Sequence, residues 1–430
     1  MVFARELSED ISKEDRVEFL DLVMAPHLKV TGLQVMVMAV AIITASVGAA
    51  EVSNVQKAEV SGRLEQLNKP AVKSIQSPDG DIIDCVPIAN QPAFDHPLLR
   101  NHVIQMRPSS EPEGDLTLNT GKKPKAMRQL WRRNGECPKN TVPIRRTKEE
   151  DLLRSTSLES FGKKNSKIIQ QVVSSDLGAA LSELAIIKTE EAGDFYGSRS
   201  VINVWNPFVQ QPDEFSSAQT WVIARSGSNI NIIEAGWQVH PNLYGDYNTR
   251  FFISWTRDNY QTTGCFDLRC SGFIQTSDDI ALGGTIDRIS EHGSTQYSFN
   301  LLVWKDVPTG NWWLQFDGII VGYWPSSLFS TLAGRATQVQ WGGEVLNQRR
   351  YGQSTATNMG SGRFPEEGFQ RAALFRNVQI VDASRALVNP PTILTFAPRP
   401  NCYDIRVGTT NATWGTYFYF GGPGRNPSCP

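Results

Sequence analysis

Two short runs carry carboxylates in matched surroundings. Side chains alternate between the two faces of a strand. Read this way, Ile232–Gln238 (IIEAGWQ) puts Ile232, Glu234, Gly236 and Gln238 on one face. Ile233, Ala235, Trp237 and the following Val239 fall on the other. Gln338–Leu346 (QVQWGGEVL) sets Gln338, Gln340, Gly342 and Glu344 against Val339, Trp341, Gly343 and Val345. Each strand thus has an apolar face for a core. Each opposite face bears a Glu, a Gly two residues away and at least one Gln. Two such faces would line a groove in which glycine lets a substrate backbone approach and glutamine donates to a developing negative oxygen. If Glu234 and Glu344 meet, their like charges raise one pKa, so one holds a proton at mildly acidic pH while the other is ionised. That pair supplies a general acid and a general base for hydrolysis by an activated water.

Other readings compete. A strand glutamate facing solvent is ordinarily just hydrated. A non-catalytic extracellular sandwich binding peptide or cell-wall polysaccharide accounts for the same polar groove. So does an acid glycosidase, which also uses two carboxylates. A Ser-His-Asp site has no GxSxG elbow to support it. The chain has no HExxH, P-loop or GxGxxG, so no metal or nucleotide cofactor is expected. His240, before Pro241, reads as a loop residue.

The elements that would position the glutamates lie in an all-β second half. Runs rich in β-branched and aromatic residues recur between Gly, Pro, Asn and Asp: Ser200–Trp205, Thr220–Arg225, Ile230–Val239, Arg250–Thr256, Gln296–Trp304, Trp312–Tyr323 and Thr337–Leu346. Many strands at short spacing predict an antiparallel sandwich or barrel. Upstream, Glu149–Phe161 reads as a short helix and Ser109–Lys125 as a flexible loop. Ten of the 11 Trp lie after residue 190, where Lys305 is the sole lysine, whereas residues 121–170 hold 14 basic against 5 acidic residues. That basic segment could pair with carboxylates of the second half at neutral pH and loosen on acidification. The whole chain of 430 residues has a net charge of −2 and no basic arm, so nucleic acid is not an expected partner.

The compartment is read from the ends and the cysteines. Leu33–Ala50 is uncharged and apolar and closes on a small-residue site like that of signal peptidase. A start at Met24 would give it a short leader containing Lys29; the competing reading is a signal anchor. Six cysteines fit an exported chain. Proximity pairs Cys85 with Cys137, Cys265 with Cys270 and Cys402 with Cys429, although six cysteines allow 15 connectivities. Asn411-Ala-Thr413 is a glycosylation acceptor.

These features occur together in a known family. Cys85-Val-Pro-Ile88, Gln91–Leu99 (QPAFDHPLL) and Cys137–Arg146 (CPKNTVPIRR) resemble the activation peptide of the plant neprosin family of secreted glutamic peptidases. Tyr196-Gly197, Asn203–Pro207, Glu234–Val239, Tyr244-Gly-Asp246, Thr249-Arg250, Gly264–Cys270 and Trp341–Glu344 resemble its catalytic domain. Asn140 stands where that family's CPxGTVP pattern has Gly, and Asn accepts left-handed backbone angles. The resemblance implies an antiparallel β-sandwich behind a small mixed α+β activation peptide. Leader or anchor would occupy 1–50, the propeptide 51–183 and the catalytic domain 184–430. It implies a monomeric zymogen in the extracellular space, cell wall or vacuole, whose mature form is not membrane-bound and whose propeptide inhibits it intramolecularly. Cleavage after proline at acidic pH is expected, with Glu234 and Glu344 as the dyad. Gln238 and Gln340 would contact substrate, with Trp237, Trp341 and Tyr244 as candidate subsite walls. Strand alternation puts both tryptophans opposite the glutamates, which favours core packing for them. Processing is expected between about residues 165 and 192.

Overall fold

Period-two alternation builds nearly all regular structure here. A computed structural model describes residues 57–114, 127–155, 157–164, 182–348 and 352–430. The chain divides into two compact units, Met1–Ser61 and Gly62–Pro430, and the account below concerns the second. The expected leader at 1–50 lies outside the described residues, as do 115–125 of the expected loop and 165–181 of the expected processing region. Among the described residues no helix is long and apolar enough to cross a membrane.

Strands β1 (Lys73–Gln76), β2 (Ile82–Pro87) and β3 (Thr141–Arg145) form a small antiparallel sheet in that order. The remaining strands are β4 (Ser182–Lys188), β5 (Gly197–Asn203), β6 (Ser216–Ser226), β7 (Asn229–Val239), β8 (Arg250–Thr256), β9 (Ile274–Gln275), β10 (Ser298–Lys305) and β11 (Trp312–Phe316). They continue with β12 (Ile319–Trp324), β13 (Gln338–Leu346), β14 (Ala373–Val381), β15 (Leu387–Val388), β16 (Leu394–Phe396), β17 (Asp404–Val407) and β18 (Phe418–Gly421). One sheet runs β16-β4-β13-β6-β7-β8. The other runs β17-β18-β14-β5-β10-β11-β12-β9, with β15 paired to β14. Ile187, Ala218, Ile233 and Phe251 of the first sheet share one core with Ile202, Leu301, Leu314 and Phe375 of the second. This is an antiparallel β-sandwich.

The two tryptophans singled out above fasten the sheets together. Trp237 and Trp341 are fully buried in this core. Trp237 Nε1 donates to the Asn203 carbonyl at 2.9 Å, and Trp341 Nε1 donates to Ser198 Oγ at 2.8 Å. They are therefore corrected from subsite walls to core residues, because strand alternation turns them away from the glutamates onto the facing sheet, where their indole N–H groups find acceptors. The strand glycines also have a different reason from the one expected. A Cβ on Gly236 would lie 2.1 Å from the Ala218 carbonyl oxygen, and one on Gly342 would lie 2.2 Å from that of Ala185. Neighbouring strands, rather than a substrate, exclude side chains there.

Three further expectations change. The run Trp312–Tyr323 is two strands, turned at Asp317-Gly318 with φ of 49° and 83°. Such a dipeptide, both residues at positive φ, is a hairpin signal. The helix expected over Glu149–Phe161 spans only Glu149–Leu153. Beyond it Ser155 Oγ donates to the Ser157 carbonyl and Ser160 Oγ accepts from the Ser157 N–H, local bonds that compete with helix. Asn140 takes φ 65°, the left-handed conformation its amide tolerates. The disulfides are Cys85–Cys137, Cys265–Cys270 and Cys402–Cys429.

Candidate active site

The six-stranded sheet has an inner face turned to the core and an outer face that carries both glutamates. On the outer face, Trp221 lies opposite Glu234 and Gln340, and Ser217 opposite Glu344 and Gln238. Strand β6 therefore lies between the two carboxylate-bearing strands β7 and β13, and the glutamates converge diagonally over it. They meet at one cation. Lys164 Nζ lies 3.1 and 3.0 Å from Glu234 Oε1 and Oε2 and 3.0 Å from Glu344 Oε2. Two oxygens each 3.0 Å from one nitrogen are at most about 6 Å apart. All three side chains are nearly inaccessible, at 4%, 2% and 1% for Lys164, Glu234 and Glu344.

Neutral donors complete the cluster. Tyr260 Oη donates to Glu234 Oε1 at 2.6 Å. Ser182 Oγ donates to Glu344 Oε1 and Gln219 Nε2 to Glu344 Oε2, each at 2.8 Å. Beside Glu234 stands an apolar wall of Leu184, Ile186, Trp221, Ile223, Ile230, Ile232 and Tyr260. Burial pushes Glu234 above the usual carboxylate range; Lys164 opposes this, Glu344 adds to it and the Tyr260 bond opposes it. Burial alone would lower Lys164, but its two carboxylates outweigh burial and hold it above the ordinary lysine value. Burial raises the Tyr260 hydroxyl, and the charge on Glu234 raises it further. Among the described residues, no group of three His, Cys, Asp or Glu could hold a metal ion.

Sequence reasoning placed Glu234 and Glu344 on groove faces, and the structure brings them together. Gln238 and Gln340 share that face, but their bonds go elsewhere: Gln238 Nε2 donates to Tyr244 Oη and Gln340 Nε2 to Gln338 Oε1. The amide on the dyad is Gln219, which was not singled out. The same alternation applied to β6 would have found it, since Ser217, Gln219 and Trp221 share a face in SSAQTWVIA. Tyr260, Ser182 and Lys164 carried no local signal beyond the basic charge around residues 121–170.

Tyr244 is buried at the end of the short helix Pro241–Tyr244 that follows β7. Its hydroxyl donates to Asp267 Oδ2 at 2.9 Å, and its ring has the Arg250 and Arg269 guanidiniums each 4.9 Å from its centroid. His240 lies outside the strands, as expected, half-buried between Phe215 and Phe266, and burial, with Arg269 and Lys164 adding, pushes it down to about 3, so it stays neutral. Asn411 is exposed.

Residues 74–187 match the Neprosin activation peptide and residues 212–423 match Neprosin. Among solved structures, the chain is similar to scytalido-glutamic peptidase with a peptide-based transition-state analogue, at 12% identity over 56% of this chain and 96% of that one, with a TM-score of 0.30. It is similar to SCP-B, a member of the eqolisin family of peptidases, in complex with the tripeptide Ala-Ile-His, at 11% identity over 56% and 96% and a TM-score of 0.29. It is also similar to a homodimeric agglutinin from chicken liver, at 8% identity over 38% and 91% and a TM-score of 0.21.

Proposed function

The chain belongs to the neprosin family and carries that family's activation peptide ahead of its own β-sandwich, and from that premise we propose a secreted glutamic endopeptidase made as a zymogen. It hydrolyses peptide bonds after proline at acidic pH. The observation that carries this reading is the convergence of Glu234 and Glu344 on one nitrogen. In the latent chain that place is filled by the Lys164 ammonium. Once the propeptide leaves, a water there is within hydrogen-bond reach of both carboxylates.

The roles follow from the neighbours. Glu344, held by Ser182 and Gln219, takes a proton from the water as its oxygen attacks the scissile carbonyl carbon. Glu234, pushed up by burial, holds the proton that the leaving nitrogen receives. Gln219 is also placed to donate to the tetrahedral oxyanion. Trp221 and Tyr260, flat walls beside Glu234, suit a pyrrolidine ring in place of the tryptophans proposed from sequence. Three disulfides are consistent with an oxidising compartment.

The test is a proline-containing quenched fluorescent peptide assayed from about pH 3 to 7 after acid processing. Cleavage on the carboxyl side of proline supports the proposal. Glycan binding without peptide turnover in the processed protein overturns it. Tyr260→Phe removes a donor to the Glu234 carboxylate, so the proton is held more tightly. The alkaline limb of kcat is expected to move up by about one pH unit, with no such shift if Tyr260 only packs.

A further inference from the structure

A second charged cluster joins the expected propeptide segment to the sandwich, away from the dyad. Its centre is Arg250 of β8, fully buried. Three of its five N–H donors are held by the sandwich itself. Nε donates to Asp246 Oδ1 at 3.2 Å, one Nη2 hydrogen goes to Asp246 Oδ2, and one Nη1 hydrogen goes to the Gly283 carbonyl at 2.7 Å. The other two point toward the propeptide. Nη1 donates to Asp81 Oδ2 at 2.5 Å, and Nη2 lies 3.7 Å from Asp79 Oδ2. Both aspartates sit in the turn between β1 and β2, Ser77-Pro-Asp-Gly-Asp81. Asp81 is also held by Arg145 Nε at 2.9 Å, and Arg145 reaches on to Asp151 at 2.9 Å.

When the propeptide departs, Asp79, Asp81, Arg145 and Asp151 leave together. Arg250 stays, anchored by Asp246 and Gly283 and set against the Tyr244 ring. It then presents two adjacent N–H groups, one from each terminal nitrogen, with no partner. That fork matches a carboxylate bidentately. The latent chain already seats carboxylates on this edge beside Asp246, so the site tolerates a negative group there.

The register places the fork in the same cross-strand row as Glu344. Glu344 lies opposite Ser217, Ser217 opposite Gln238, and Gln238 opposite Arg250. Three inter-strand steps of about 4.8 Å make about 14 Å, or about four residues of extended chain. The segment that ends at the dyad also crosses β8, over Ser254, four residues along that strand from Arg250. The Gly162 carbonyl accepts from the Phe266 N–H at 2.8 Å, Phe266 bridges Ser254 of β8, and two residues later Lys164 is at the dyad over β7 and β13.

We infer that Arg250 is a specificity-determining residue of the released enzyme, reading a carboxylate about four residues from the scissile bond, and that the Ser77–Asp81 turn occupies this subsite in the latent chain. The inference rests on the peptidase reading above. Its ligand is an acidic side chain or a free chain terminus, which share the same chemistry.

The experiment uses the acid-processed full chain at about pH 5, where Asp and Glu side chains are ionised. Proline peptides carry Asp, Glu, Asn or Lys at each of the third to fifth positions on both sides of the proline bond. A matching set ends at those positions as free acid or amide. Asp or Glu at one position should raise kcat/KM roughly tenfold over Asn, mainly through KM, and Arg250→Gln should level that ratio. A free terminus preferred over the amide, without a side-chain preference, supports the same subsite with a terminal carboxylate as its ligand. A flat profile in the unsubstituted protein overturns the inference whether or not Arg250→Gln folds. So does an acidic preference that survives in Arg250→Gln. Cleavage of no peptide at all overturns the peptidase reading instead.

Discussion

Glu234→Gln and Glu344→Gln are each expected to lower peptide hydrolysis by about three orders of magnitude or more, since each removes one half of the proton traffic. Gln keeps the size and a polar oxygen at either position. It can neither take a proton from water nor give one to the leaving nitrogen. The two changes should also fail to add. Glu234→Gln combined with Glu344→Gln should cost little more than either alone, because hydrolysis that has lost its base gains nothing from an intact acid. The measurement is kcat/KM on a proline peptide after processing by an added protease, so that failed self-activation is not mistaken for failed chemistry. A variant with more than about a tenth of the original rate removes that residue from the dyad.

Lys164→Met is expected to shift activation toward neutral pH by at least about one unit and to weaken propeptide docking by two to three orders of magnitude at pH 7. In the closed cluster one ammonium faces two carboxylates, and without it no cation offsets either of them. Methionine leaves both carboxylates buried with no cation, and breaking a buried pair in this way costs about 3–5 kcal/mol.

The sign of the pH effect separates into parts. Burial would raise Asp79, but the Ser77 and Thr285 bonds and the Arg250 charge outweigh it and hold it below the ordinary carboxylate value. Burial would likewise raise Asp151, but Arg145 outweighs it. A depressed carboxylate adds stability that is present above the unfolded value of about 3.8 and is lost as pH falls through the depressed value. These two therefore favour release in strong acid. Glu234, held above its ordinary value, has the opposite sign relative to an unfolded chain: its contribution is present below about 4.5 and is lost as pH rises through the raised value. Opening, however, is not unfolding. It removes the ammonium that opposes protonation of Glu234 and also admits water, which lessens the burial that promotes it, so the acid trigger is assigned to Asp79 and Asp151. Self-processing followed by gel electrophoresis against pH measures the midpoint. An unchanged midpoint in Lys164→Met would show that the lysine does not set latency.

Much of the site was legible because a strand's period of two is a hard geometric rule. It assigned both faces of β7 and β13, and it already favoured the core for Trp237 and Trp341. It did not find Gln219 only because β6 was read by composition, as Thr220–Arg225, and not by face. What it could not reach was contact across long sequence separation. Tyr260 arrives from a loop, and Lys164 from a segment whose charge was visible but whose landing point was not. Asp79 and Asp81 are of a residue type that turns favour for local reasons alone. Nothing local marks them as partners of Arg250, because a buried ion pair is a property of two distant segments that fold together.

Strand β4 sits between β16 and β13, bonded on both edges, and begins at Ser182, whose hydroxyl holds Glu344. Trimming the chain beyond that residue would take a rung out of the middle of the ladder and a ligand from the reacting carboxylate. If the chain is processed as proposed, a cut before Ser182 keeps this strand and this hydroxyl in the enzyme, whereas a cut between Ser182 and residue 192 removes them.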